Sequence, residues 1–189
     1  MVVAAAMVQA ATKKKSPRRV VYLMRGVPGS GKSFTAKKLA GKKGLVCETD
    51  SFFGPPGKQY RFIKRLVPAA RISNMKQFLY GLAESISPIV VDRGNSNGRR
   101  TRWYAVTARL FGYNVKFAEP TSPWWKQIKK MLTGKSAWSF STLEGWVCDL
   151  AKRQEGTHQV SKRAIWRSMV RWKATLKIED LLKGNNLEK

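Results

Sequence analysis

The chain has 189 residues, with 37 Lys and Arg against 11 Asp and Glu, a net charge of +26, 43% apolar residues and 11% aromatics. That is globular composition, enough for about one domain whose core needs no disulfide or metal staple. Two cysteines (Cys47, Cys148) and one histidine (His158) exclude a zinc ribbon, a disulfide scaffold, a two-histidine metal motif and a Ser-His-Asp enzyme with a spare histidine.

Residues 1–19 carry an apolar stretch before the positive charges, the reverse of a secretory signal, and read as a disordered basic tail. Residues 20–189 then form one domain, with a core over 20–132 and a helical lid and C-terminal region over 133–189. VVYLMR (20–25) predicts a buried strand that runs into a Gly-rich loop. KSFTAKKLA (32–40) predicts a helix stopped by Gly41 and Gly44. LVCE (45–48) predicts a second strand, with Asp50 just beyond it, and SFFGPPGKQY (51–60) a loop. A helix is expected over 69–84, its apolar face formed by Ile72, Met75, Phe78, Leu79 and Leu82, with Pro68 at its start or at a break before it.

SPIVVD (87–92) predicts a third strand buried on both faces. RGNSNGRR is a loop, 101–111 a helix ended by Gly112, and YNVKFAE (113–119) a fourth strand. Helices follow at about 123–132, 142–154 and 161–172, the last with Ser161 as N-cap, and LKIEDLL closes the chain as a short tail. No run approaches the roughly 18 apolar residues of a membrane helix. Strands alternating with helices, then helices alone, predict an α/β fold: a parallel sheet flanked by helices, with an all-helical C-terminal lid region. Ligands of such sheets bind at the carboxyl ends of the strands.

A charge of +26 exceeds what solubility needs and suits a polyanionic partner, nucleic acid first. The competing reading is a basic surface of solvated lysines. Sparse cysteine fits a reducing, cytoplasmic location. Acids are scarce. None precedes Glu48, while eleven Lys or Arg do, and of the four aspartates only Asp50 and Asp92 precede residue 149. Both directly follow strand-like runs.

Residues 26–33, Gly-Val-Pro-Gly-Ser-Gly-Lys-Ser, match G-x-x-x-x-G-K-[ST], the P-loop or Walker A pattern. Gly29 and Gly31 let consecutive N–H groups turn inward as an anion nest, and the helix starting near Lys32 adds its positive end. Lys32 can reach the β- and γ-phosphates and the Ser33 hydroxyl a Mg²⁺ ion. Gly26, Pro28, Gly29, Ser30, Gly31, Lys32, Ser33 and Phe34 are the candidate nucleotide contacts, so ATP with Mg²⁺ is the expected ligand. Hydrolysis, switching and phosphoryl transfer all use such a loop, and the acids must separate them. Asp92 suits a Walker-B role, holding Mg²⁺ with Ser33. Asp50 sits where a group that takes the acceptor's proton is needed. Either can instead be a turn residue.

VYLMRGVPGSGKS, ETDSFF, SPIVVDRGN and GYNVKFAEPTSPWW together resemble the polynucleotide kinase-like P-loop proteins, an AAA-type ATP-binding group that includes phage-type 5′-hydroxyl polynucleotide kinases. The resemblance covers roughly residues 20–132. It implies an adenylate-kinase-like core, Mg-ATP, and transfer of the γ-phosphate to a 5′-hydroxyl of RNA or DNA. By position Asp50 matches the family's general base, and Asp92 and Asn95 its acidic turn. The stretch Arg153–Ser161, with Thr157, His158 and Val160, is similar to the lid. The family turn is commonly Asp-Asn-Thr-Asn, whereas Arg93 and Gly94 fill its middle here. The lid arginine usually stands shortly before the histidine. Glu155 and Gly156 occupy the closest places here, leaving Arg153 or an arginine of the next helix to serve.

In the last helix Ile165, Met169 and Trp172 share a face, while Lys162, Arg163, Arg167 and Arg171 cover much of the remainder. One or two of these arginines either close over ATP, track a nucleic-acid backbone, or are merely solvated. Trp124 and Trp125 either stack a base or pack a core edge. Arg99, Arg100 and Arg102 are candidates for an acceptor-phosphate contact. His158 reads as a lid hydrogen-bonding residue rather than a metal ligand. Beside 5′-hydroxyl phosphorylation stand two other functions: a small-molecule kinase of the zeta-toxin kind, and a nucleic-acid-binding ATPase or switch that transfers nothing.

Overall fold

The computed structural model describes residues 19–55, 60–94, 99–134, 139–155, 158 and 160–183. The basic tail up to Arg18, together with Asn95, Gly156 and Thr157, lies outside the described residues. Four strands form one parallel sheet: β1 (Val20–Met24), β2 (Leu45–Glu48), β3 (Ile89–Asp92) and β4 (Asn114–Ala118). Their order is β2-β3-β1-β4, so β1 lies between β3 and β4. Seven helices follow from the same sequence: α1 (Lys32–Ala40), α2 (Val67–Ala83), α3 (Arg99–Leu110), α4 (Pro123–Thr133), α5 (Phe140–Lys152), α6 (Lys162–Val170) and α7 (Ile178–Lys183).

The strand period of two sorts the apolar residues onto both faces. Val21, Leu23, Cys47, Ile89 and Val91 join Phe78 and Leu82 of α2, Tyr104 and Ala108 of α3, and Leu181 of α7 in one core. Met24 and Val90 point the other way, onto Ala36 and Ala40 of α1. All four residues of β3 are buried, as its unbroken apolar run requires. A third core joins the last helices to the loop after β1. In it Val27 packs among Trp125, Ile128, Leu143, Val147, Leu150, Ile165 and Met169, and the Trp125 and Trp172 rings meet edge to face at 5.0 Å.

Serine N-caps set the starts of α4, α5 and α6. Ser122, Ser139 and Ser161 each accept the N–H three residues on, from Trp125, Thr142 and Ala164. Three sequence expectations change. The 51–60 loop begins as a tight 3-10 turn over Asp50–Phe53. On α2 the buried face is Ala70, Asn74, Phe78, Gly81 and Leu82, while Ile72 and Leu79 face outward. Helical spacing defines a stripe, but the sheet covers only part of it. The closing LKIEDLL is no loose tail: it contains α7, whose Leu181 is fully buried against α3 and β4.

Candidate functional site

The loop after β1 sits at the carboxyl edge of the sheet, at its centre. Its turn rests on two glycines in left-handed backbone, Gly29 at φ 76° and Gly31 at φ 91°. Gly29 also lacks room for a side chain: a Cβ there would stand 2.8 Å from the Leu150 carbonyl oxygen of α5. The loop is braced from behind. The Trp124 indole N–H donates to the Gly29 carbonyl at 3.1 Å, and the Ser122 hydroxyl donates to the Ser30 carbonyl at 2.8 Å. Gly31 ends the loop as the N-cap of α1, with no side-chain cap bond and no acid in the first turn. The opening N–H groups of α1 are therefore available to an anion.

A cavity of about 1010 Å³ opens at this edge, lined by the loop and the start of α1, Asp50 beyond β2, the end of β3, the segment after α5, and residues of α2, α4 and α6. It lies at the upper end of the roughly 300–1,000 Å³ of ordinary small-molecule sites. Gly26, Pro28, Gly29, Gly31, Lys32, Ser33 and Phe34 all line it. Ser30 does not. Its side chain is buried and its N–H turns inward to the Val27 carbonyl at 3.2 Å, so of the loop residues read as nucleotide contacts it is the one the fold removes from the cavity.

Lys32, Asp50 and Asp92 line the same cavity. The Lys32 ammonium donates to the Val27 carbonyl at 2.8 Å. Burial lowers its pKa, and the carboxylates of Asp92 and Asp50 pull it back up. Asp92 ends β3 almost wholly buried, and its Oδ2 has no hydrogen-bond partner. Burial pushes its carboxyl up, while Lys32 and the Ser33 hydroxyl favour the ionised form. Glu48 pairs with Asp92 across β2 and β3. Its carboxyl is also pushed up, first by burial and then by Asp92 and Asp50. Three acids thus press on one corner of an otherwise basic protein. Among the described residues, no group of three or more His, Cys, Asp or Glu is arranged to hold a metal alone. A cation between Ser33 and Asp92 would have to complete its shell with phosphate oxygens and water, which is how Mg²⁺ is usually held. The orphaned Asp92 oxygen fits that use.

Arg153 reaches the cavity, but it is engaged: its Nε donates to Asp149 at 2.7 Å, and its guanidinium lies 4.3 Å over the Trp124 ring. Arg167 of α6 and Arg171 just after it line the same space, with no acidic partner among the described residues. Arg71 and Arg93 line it too, and sequence reading had assigned neither a role. Arg93 donates to the Tyr104 hydroxyl at 3.3 Å, which donates to buried Asn74 at 2.6 Å. Arg102 is absent from the cavity wall. The side chains of Arg99 and Arg100 lie outside the described residues. The adjacent tryptophans divide: Trp125 goes into the core, while half-buried Trp124 braces the loop through its indole N–H, carries the Arg153 guanidinium over its ring and lines the cavity. His158 lines the cavity with its ring 4.8 Å from Tyr60.

Fold and site define an α/β protein whose four-stranded parallel sheet, flanked by helices, carries a glycine-rich loop and paired acids at its carboxyl edge. A chain in the structure of the Pnkp1/Rnl/Hen1 RNA repair complex shares this fold. It superposes with a TM-score of 0.53 at 14% identity, covering 95% of this chain and 50% of that one. In sequence, 119 residues (62% of the chain) are 34% identical to NEDD4-binding protein 2 of Homo sapiens, and the match takes in 7% of that protein's length. No family model matches the chain. No helix among the described residues is long and apolar enough to cross a membrane.

Proposed function

We propose that this chain is a P-loop kinase of the polynucleotide kinase-like group, moving the γ-phosphate of Mg-bound ATP to the 5′-hydroxyl of RNA or DNA. The observation that carries the reading is the meeting of Lys32, Asp50 and Asp92 in one cavity, with both carboxylates acting on the same ammonium. The likeness in fold to a chain of an RNA repair complex supports it, as does the net charge of +26.

Mg-ATP supplies the transferable phosphoryl group and neutralises its charge when bound. The amides of the Gly26–Ser33 loop and of the start of α1 hold the phosphates. Lys32 gives up its bond to the Val27 carbonyl for a phosphate oxygen. Ser33 and Asp92 would hold the Mg²⁺. Asp50, at the head of its 3-10 turn, accepts the proton of the attacking hydroxyl. Arg153, fixed by Asp149, or Arg167 and Arg171, which have no acidic partner among the described residues, stabilise charge on the group in flight.

The test supplies γ-labelled ATP with 5′-hydroxyl oligonucleotides, with nucleosides, and with buffer alone. Label on the oligonucleotide is expected. Label only on a small molecule would redirect the reading to a metabolite kinase, and free phosphate alone to an ATPase. Lys32→Ala should abolish transfer. Asp50→Asn should cut it by about 10²- to 10⁴-fold while sparing ATP binding; normal transfer by that variant refutes the base assignment.

A further inference from the structure

Residues 60–66, Tyr-Arg-Phe-Ile-Lys-Arg-Leu, carry cations interleaved with apolar groups, and every residue from Arg61 to Leu66 is exposed. No acidic residue occurs between Asp50 and Glu84. Arg61, Lys64 and Arg65 have no acidic partner among the described residues. The segment is tied to the turn headed by Asp50, since the Arg61 N–H donates to the Phe53 carbonyl at 3.0 Å. Buried Phe53 anchors a ring cluster there, with Phe52 at 5.5 Å, Phe62 at 5.2 Å and Tyr60 at 6.2 Å between centroids. The outer members stay in solvent: Phe52 is 42% exposed and Phe62 56%. Tyr60 turns inward, onto the His158 ring that lines the cavity. Burial, with the nearby Asp50 and Glu48 carboxylates, pushes its hydroxyl up to about 12.

Ordered rings left open to water add little to stability where they stand, and rings among unpaired cations are the chemistry that binds single strands. Bases stack on the rings while the cations track the phosphates. We propose that Phe52, Phe62, Arg61, Lys64 and Arg65 form a docking face for the unpaired nucleotides behind the reacting 5′ end. The inference rests on the reading of Asp50 as the acceptor-side group, because the face begins at its turn. Paired bases hide their faces in the helical stack, so the face selects single-stranded ends over blunt duplex.

The test is nucleotide-free fluorescence anisotropy with a labelled 5′-hydroxyl 12-mer, single-stranded or as a blunt duplex, at several salt concentrations. Wild-type protein should prefer the single strand. Phe52→Ala and Phe62→Ala should each weaken single-strand binding about 5- to 150-fold, the double variant more than either, and duplex binding little. Arg61→Ala and Lys64→Ala should each lower the salt slope by about 0.7. Phe62→Trp keeps a π-face and should retain affinity, which separates stacking from misfolding. Equal wild-type affinity for both forms, or unchanged binding by the double alanine variant, overturns the proposal. So does binding to phosphatidylserine vesicles that needs Phe52 and Phe62 while oligonucleotide binding does not. Binding is read without transfer. A wild-type protein that binds but phosphorylates nothing therefore sinks the kinase reading alone, and one that phosphorylates while the variants bind normally sinks this inference alone.

Discussion

Replacing Gly29 by alanine isolates the seat between the glycine-rich loop and α5. Two costs add. The backbone there has φ 76°, where an L-residue is strained by about 1–2 kcal/mol. The new Cβ would lie 2.8 Å from the Leu150 carbonyl oxygen and 3.2 Å from the Gln154 amide nitrogen, so α5 or the loop must move. Forced overpacking of this kind costs about 1–3 kcal/mol more. The sum, about 2–5 kcal/mol and centred near 3.5, lowers the melting temperature by about 7–14 °C at roughly 2–4 °C per kcal/mol. Two alanine controls bracket it. Gly41 also has positive φ but nothing within 4 Å, so Gly41→Ala should show the backbone cost alone. Gly145 is an exposed position of α5 with open space around it, and Gly145→Ala should stabilise by about 0.5–1 kcal/mol. Scanning calorimetry ranks the three, and a fluorescent ATP analogue should bind Gly29→Ala more weakly than either control. If Gly29→Ala melts no lower than Gly41→Ala, α5 does not rest on the loop and the brace is refuted.

Glu48 has a carboxyl pushed up by burial and by Asp92 and Asp50. The folded state thus holds its proton more tightly than the unfolded chain. That stabilisation is complete below the ordinary carboxylate value and is lost as pH rises through the raised one. Glu48→Gln should therefore melt higher than wild type at pH 7–8, with the gap closing toward pH 4; a variant that melts lower at pH 7–8 contradicts the crowding of acids. Tyr104→Phe removes a buried hydroxyl that donates to Asn74 and accepts from Arg93, and should cost about 1–3 kcal/mol in denaturant titration. A cost below about 0.5 kcal/mol would mean that the network adds nothing beyond ordinary surface substitution. Burial pushes the Cys47 thiol up to about 12, while Cys148 is half-buried. A thiol reagent at neutral pH should titrate one cysteine quickly in the folded protein and both after denaturation; two fast thiols in the folded protein would place Cys47 outside the core.

Much of the scaffold was legible before folding. The four strands are short β-branched or apolar runs that reach core density only when both faces are covered, so β3 announces a central place by composition alone. The loop was legible because phosphate-type nests need glycine at fixed steps, and Gly29 and Gly31 do adopt the positive φ expected of them. Placing Asp50 and Asp92 beyond strand ends was enough to expect them at one edge. Harder cases turned on which of two equivalent neighbours the fold would use. Trp124 and Trp125 have the same chemistry, and only the packing of α4 on α5 and α6 sends one inward. Ile72 and Leu79 obey helical periodicity as well as Phe78 does, yet the sheet is too narrow to cover them. The six residues of α7 are too few for any period to register.

By itself the sequence determined which groups gather at the carboxyl edge of the sheet: a glycine-rich loop with its lysine, and two aspartates in a chain almost bare of acid, because local turn chemistry and strand ends dictate those positions. Strand order, the presence of Arg71 and Arg93 in the cavity wall, the removal of Ser30 from it and the open ring cluster beside Asp50 were decided by tertiary structure alone. These depend on contacts between segments far apart in the chain, and no local pattern carries that information.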